Sequence, residues 1–167
     1  MTVTEPRSNL ILIAELRRHA ELHDIASNRQ ASYRYHLMDK WEAGMVLTGT
    51  EVKSLREGKA QLKDGYAAIQ NGEVWLYNVH IPPYAPATRE NHEPERPRKL
   101  LMHRREIERL IGKTKEKGLT LVPTRLYFKG RHAKVEIALA RGKDVGDKRQ
   151  SIKEREMKRE MERSFRR

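Results

Sequence analysis

A chain of 167 residues has room for one domain with appendages, because single domains commonly run about 100 to 200 residues, and with 37% hydrophobic against 35% charged residues its core must be small. Thirty-five Lys and Arg against 23 Asp and Glu leave a net charge of +12, which favours polyanionic partners, nucleic acid first, through counterion release. The absence of cysteine excludes a disulfide framework and a thiolate metal site, and the longest N-terminal apolar stretch, Leu10 to Ala14, is too short for a signal-peptide core or a membrane span.

A cytoplasmic protein without cofactor or membrane partner is therefore expected. Residues 1–27 carry a net charge of −1, residues 28–140 carry +8, and residues 141–167 carry +5 in only 27 positions. This divides the chain into an N-terminal extension (1–27), a folded domain (28–140) and a basic tail (141–167). The main apolar side chains of the tail are Ile152, Met157, Met161 and Phe165, too few for a core, so it is expected to be disordered when free.

In chain order, Tyr33, Tyr35 and Leu37 alternate with Arg34 and His36 as in a half-buried strand, and Met45 to Leu47 reads as a second. Thr50 to Gly58 reads as a two-turn helix, with Thr50 as cap, Val52 and Leu55 on one face, and Gly58 as the left-handed stop. Asn71-Gly72 between Tyr66–Gln70 and Glu73–Ile81 marks a type I′ hairpin, since that turn needs positive φ at both central residues. Five of the seven prolines fall between Pro82 and Pro97, which predicts an exposed, extended loop. Leu100, Leu101, Ile107, Leu110 and Ile111 outline an amphipathic helix ending at Gly112, with one further turn at Thr114 to Lys117. Leu119–Val122, Thr124–Phe128 and Ala133–Ala140 read as strands, with Pro123 at an edge or bulge. The predicted fold is all-β with short helices, an OB-like closed antiparallel barrel of about six strands.

No catalytic constellation stands out. His19 and His23 have a helical zinc spacing, but the order between them is not that of a metalloprotease, and a solvated helix face is the preferred reading. Serines 32, 54, 151 and 164 lie in no nucleophile context, and there is no Gly-rich phosphate loop. RNA binding has more to rest on. Lys53 and Arg56, followed by Lys59, project from one face of the short helix, where paired cations would clamp phosphates. Arg125, Tyr127 and Lys129 share one strand face, where Tyr127 would either stack on a base or pack across the sheet. Arg96, Arg98, Lys99, Arg104 and Arg105 form a basic run around a helix start, and Glu42 would accept from a base amino group or orient an arginine.

Several motifs then occur together and in order: Glu42-Ala-Gly44, Gly49-Thr-Glu-Val-Lys-Ser-Leu-Arg56 with Gly58-Lys59, Arg98-Lys-Leu-Leu101, Lys117-Gly-Leu-Thr-Leu-Val-Pro123, Ala133-Lys134-Val135, and Leu139-Ala-Arg-Gly-Lys143 with Asp147-Lys-Arg149. On these the chain resembles the SmpB family, SsrA-binding proteins that partner tmRNA in ribosome rescue. The resemblance implies an OB-like barrel that binds the tRNA-like domain of tmRNA and reaches stalled ribosomes with elongation factor Tu. Its tail would enter the decoding centre, against small-subunit rRNA, and the vacant mRNA channel as a helix. Implied RNA-binding positions are Asn28, Glu42, Leu101 and His103. Family motif and charge together add Arg29, Lys53, Arg56, Lys59, Lys99 and Lys134, and the strand-face argument adds Tyr127. In the tail, Gly142, Lys143, Asp147, Lys148 and Arg149 match the family pattern. Asp144 and Gly146 depart from it, standing where a basic residue and a histidine are usual.

Overall fold

The computed structural model describes residues 22–165 apart from 88 and 117, and of Val145 only the backbone. Seven strands are β1 (Leu22–Ser27), β2 (Tyr35–Met45), β3 (Tyr66–Gln70), β4 (Glu73–Tyr77), β5 (Arg98–Leu101), β6 (Leu119–Lys129) and β7 (His132–Gly142). The described helices are α1 (Ala31–Arg34), α2 (Gly49–Arg56), α3 (Arg104–Thr114) and α4 (Val145–Ser164). The order β6-β3-β4-β5-β2-β7 closes on itself through β6–β7, with every pair antiparallel. Closure leaves those six strands without an edge, as the barrel expectation requires. Strand β1 lies outside the ring against the second half of β6, from Leu22 opposite Lys129 to Ser27 opposite Arg125.

Alternation sets the interior. Val74, Leu76, Leu100, Leu121, Val135 and Ile137 are buried in the ring, and Leu55 of α2 and Leu110 of α3 are buried in the same core. A second, small cluster outside the ring joins Ala31, Val122 and Ala140 to Tyr35 and Leu37. It explains why Tyr35 and Leu37 look half-buried in the sequence.

The expected hairpin is present: Asn71 (φ 50°) and Gly72 (φ 73°) turn between Gln70 and Glu73. Strand β4 stops at Tyr77 rather than Ile81, because Asn78 is left-handed (φ 54°) and ends the pleat. Gly58 (φ 73°) ends α2 as expected. The cap, however, is Thr48 rather than Thr50: the Thr48 N–H donates to Glu51 Oε2 at 2.8 Å in a capping box. Tyr33 belongs to α1, the expected first strand begins at Tyr35 and runs on as the 11-residue β2 with a bulge between Leu37 and Lys40, and of the expected second strand only Met45 is in it, Val46 and Leu47 lying beyond its end. Leu100 and Leu101 lie in β5, one facing in and one out, rather than on the helix, and Gly112 lies within α3 rather than at its end. Strand β6 runs through Pro123, whose missing N–H coincides with the register shift between Pro123 and Arg125.

One boundary and the conformation of the tail differ from the expected division. Strand β1 falls within residues 1–27 yet is hydrogen-bonded into the sheet, so the folded unit includes Leu22–Ser27. His23 stands in this strand and not on a helix, and His19 lies outside the described residues, as does the rest of the expected extension. The tail, expected to be disordered, is drawn as the 20-residue α4. Its Lys, Arg, Glu, Gln and Met are good helix formers, and Asp147 in the first turn complements the helix dipole.

Candidate nucleic-acid interface

Strand alternation turns Glu42 and Gly44 of β2 to the outside of the barrel, beside Lys134 of β7 and Leu101 of β5. Across β7 stands Tyr127 of β6, opposite Lys134. The Tyr127 hydroxyl donates to Glu42 Oε2, and Lys129 Nζ donates to Glu42 Oε1 at 3.1 Å. The Arg125 guanidinium lies over the Tyr127 ring, 4.7 Å from its centroid, and is held by Asp24 of β1 at 2.5 Å. The added strand thus positions a cation that roofs the tyrosine.

These contacts set the ionisation of the cluster. Partial burial works against the Glu42 carboxylate, but the Tyr127 and Lys129 hydrogen bonds and the Lys129 and Lys134 charges outweigh it, so its pKa lies below the usual value. Burial, then the bond to ionised Glu42, pushes the Tyr127 hydroxyl up, and it remains a donor at neutral pH. Glu42 is a fixed anion in a cationic surround. Its oxygens can still accept from a base amino or imino N–H.

Beside it opens a groove of about 230 Å3 lined by Gly44, Met45, Leu101, Arg131, His132 and Lys134. A Cβ at position 44 would lie 3.3 Å from Leu101 Cβ and 3.7 Å from Lys134 Nζ, so Gly44 lets these two side chains close over the strand. Leu101 is 54% exposed, an apolar contact ringed by cations. Val52 of α2 reaches the same groove, which brings the helix bearing exposed Lys53 and Arg56, and exposed Lys59 just after it, to its border. Lys53 lies 5.5 Å from the centre of the Tyr84 ring, Lys59 pairs with Glu57 at 2.7 Å, and Lys99 pairs with Glu73. His103 caps α3, its N–H bonded to Glu106 Oε2 at 3.1 Å, and leaves its ring exposed.

A family model described as "SmpB protein" matches residues 25–167. The chain belongs to the SmpB family. An SsrA-binding protein of Thermobifida fusca is 65% identical over 143 residues, 86% of this chain and 89% of that one. One from Carboxydothermus hydrogenoformans is 59% identical over 142 residues, 85% and 95% of the two chains. A chain from a solved structure described as "tmRNA-SmpB: a journey to the center of the bacterial ribosome" is 47% identical, with a TM-score of 0.62, over 72% of this chain and 85% of that one.

Within this SmpB-family barrel, several expected residues take other roles. Tyr127 is only 5% exposed and its ring is covered, so it packs and positions instead of presenting a stacking face. Arg98, part of the expected basic run, is fully buried. It donates to Glu51 Oε1 at 2.8 Å, Val79 O at 2.6 Å and Pro94 O at 2.9 Å, while Arg96 forks onto the same carboxylate at 2.7 and 2.6 Å. Both bind the Pro82–Pro97 loop to α2. Asn28 donates its amide to Leu62 O at 3.2 Å and Pro123 O at 3.1 Å, and its N–H to Thr124 O at 2.8 Å, satisfying carbonyls at the β6 bulge. Arg29 is exposed next to it, in a separate pocket with Lys63.

The tail residues gather at the start of α4. Lys143 Nζ donates to Ser32 O at 3.0 Å and Ser151 Oγ at 2.7 Å, and the Lys143 N–H to Arg34 O at 2.9 Å. Asp147 meets His36 at 3.1 Å, while Gly142 and Arg149 are exposed and Lys148 half-buried. Arg131 and His132 went unnoticed in the sequence. Lys129-Gly-Arg-His132 between two strands is a turn signal, and Gly130 does adopt φ 60°. The turn aims those two side chains into the groove.

Proposed function

We propose that this chain binds the tRNA-like domain of tmRNA through the Glu42–Leu101–Lys134 face of the barrel and delivers it to stalled ribosomes. The observation that carries the reading is an SmpB-family match through residues 25–167 on a barrel whose outer wall holds an ionised Glu42 beside an exposed Leu101 and a ring of cations. On that wall Glu42 reads a base edge, Leu101 contacts a base or ribose, and Lys134, Lys99, Lys53, Arg56 and Lys59 neutralise phosphates, as Arg29 does from its separate pocket. Asn28 and His103 act by shaping the loops beside it, and Tyr127 by orienting Glu42.

Elongation factor Tu shares the delivery complex in this reading, and the protein acts in the cytoplasm as a binding adaptor, not an enzyme. No helix of the described residues is long and apolar enough to cross a membrane. A stalled ribosome without a codon offers no codon–anticodon pairing, so protein contacts must supply that free energy. The tail supplies it, with Gly142, Lys143, Asp147, Lys148 and Arg149 at the decoding centre and α4 in the empty mRNA channel. Sequencing the RNA that copurifies with the tagged full chain tests the reading. Strong enrichment of tmRNA is expected, and rRNA fragments or mixed mRNAs without it would overturn the assignment.

A further inference from the structure

Three aromatic side chains stand together on the outer wall and take no part in the site above. The hairpin register places them: Tyr66 faces Tyr77 and Ala68 faces Trp75, while Trp75 faces Lys99 on the next strand. Cross-strand partners project to the same side. At this level the inward set is Val74, Leu76 and Leu100, each 2% exposed or less, so the aromatic set is the outward one. The two tyrosine rings stack with centroids 5.3 Å apart and planes 18° from parallel. Tyr66 is 41% exposed, and Trp75 and Tyr77 are half-buried.

The face is continuous with the candidate interface. Strand β5 turns both Lys99 and Leu101 outward, the first beside Trp75 and the second into the groove next to Gly44. Lys99 flanks the aromatic set, held by Glu73, and exposed Lys63 stands three residues before Tyr66 in the chain. Aromatic faces alternating with cations along a sheet are what a run of unpaired nucleotides needs, because bases stack on the rings while phosphates meet the lysines. A cross-strand tyrosine pair alone would stabilise the hairpin, but it would not require a tryptophan at the adjoining level beside a lysine of the interface.

Building on the RNA-binding reading, we propose that Tyr66, Tyr77 and Trp75 form a stacking platform for unpaired RNA bases that extends the Leu101 groove across β5, β4 and β3. The bases come from tmRNA itself or from small-subunit rRNA, and the experiment separates these sources. The full chain is irradiated in one arm with bromouridine-substituted tmRNA and in the other with 30S particles, and the cross-linked peptides are sequenced. Cross-links at Tyr66, Trp75 or Tyr77 are expected in at least one arm, which identifies the RNA. In that arm Tyr66→Leu and Trp75→Leu, which keep apolar packing, should each weaken binding by about tenfold while leaving the salt dependence unchanged. Cross-links confined to the groove, or from the aromatics to a ribosomal protein, would overturn the platform and leave the proposed function standing. If unaltered protein fails to bind tmRNA at all, the proposed function falls, and the 30S arm still decides the platform.

Discussion

Replacing Glu51 by Gln would leave the Arg98 guanidinium fully buried opposite a neutral amide, and breaking a buried pair from one side costs about 3 to 5 kcal/mol. Denaturant unfolding should show a loss of that order. Burial opposes the Glu51 charge, but the Arg96, Thr48 and Arg98 bonds prevail and hold its pKa below the ordinary 4.5. Between the folded pKa and 4.5 the unfolded chain therefore binds more protons, so stability rises with pH there. The advantage of the native protein over Glu51→Gln should be complete above pH 4.5 and shrink as the pH falls through the folded pKa. Glu42 uses its cations differently, because its carboxylate stays at the surface. Tyr127→Phe removes one donor from it without opening a cavity. Binding of the tRNA-like domain should weaken at least about tenfold, because one hydrogen bond to a charge contributes about 1.5 to 3 kcal/mol. The same substitution made on top of Glu42→Gln should cost nothing more, and titration calorimetry giving additive losses would disconnect Tyr127 from Glu42. In sequence Arg96, Arg98 and Lys99 look alike as a charge run. Only the tertiary fold decides that Arg98 is buried, Arg96 shared with Glu51 and Lys99 left at the surface.

Elements whose signal is local were legible. Asn71-Gly72 turns because both residues tolerate positive φ, Gly58 stops α2 for the same reason, and Val135, Ile137 and Leu139 point into the barrel by plain alternation. Elements that depend on partners were not. Strand β1 carries little alternation and is fixed by pairing with β6, and β5 is four residues whose two leucines suit a helix equally well. Two glycines separate the cases by experiment. At Gly65 an added Cβ would stand 2.8 Å from Val79 Cγ2 and 2.9 Å from Pro123 Cγ, where the chain packs beneath β6. Gly65→Ala should lower stability by about 1 to 3 kcal/mol, as overpacking does. Gly112 sits inside α3 with nothing within 4 Å of an added Cβ. Gly112→Ala should raise stability by about 0.5 to 1 kcal/mol through helix propensity. Thermal melts of the two variants should move in opposite directions.

Across the whole molecule, charge and fixed structure are distributed differently. The larger share of the positive charge lies on residues 28–140, on a ring closed by hydrogen bonds, whereas residues 141–167 carry +5 and include a helix that touches the barrel chiefly near its first turns. Beyond Ile152 the helix and its C-cap expose Met157 (54%), Met161 (57%) and Phe165 (87%) at a spacing of four, an apolar stripe with none of the described residues packed over it. Among the described residues the anchoring contacts are the solvent-screened His36–Asp147 pair and the Lys143 bonds. The barrel therefore has few contacts to lose with the tail, and on the proposed function RNA affinity and ribosome reading should separate by truncation. Removing residues 144–167 should leave the unfolding midpoint of the barrel nearly where it was and its affinity for tmRNA unchanged. Peptide tagging on stalled ribosomes should be lost in the same variant. A reconstituted rescue assay run beside a tmRNA binding curve measures both, and a fall in tmRNA affinity on truncation would mean that the helix belongs to the tmRNA-binding surface and not to a separate ribosome-reading arm.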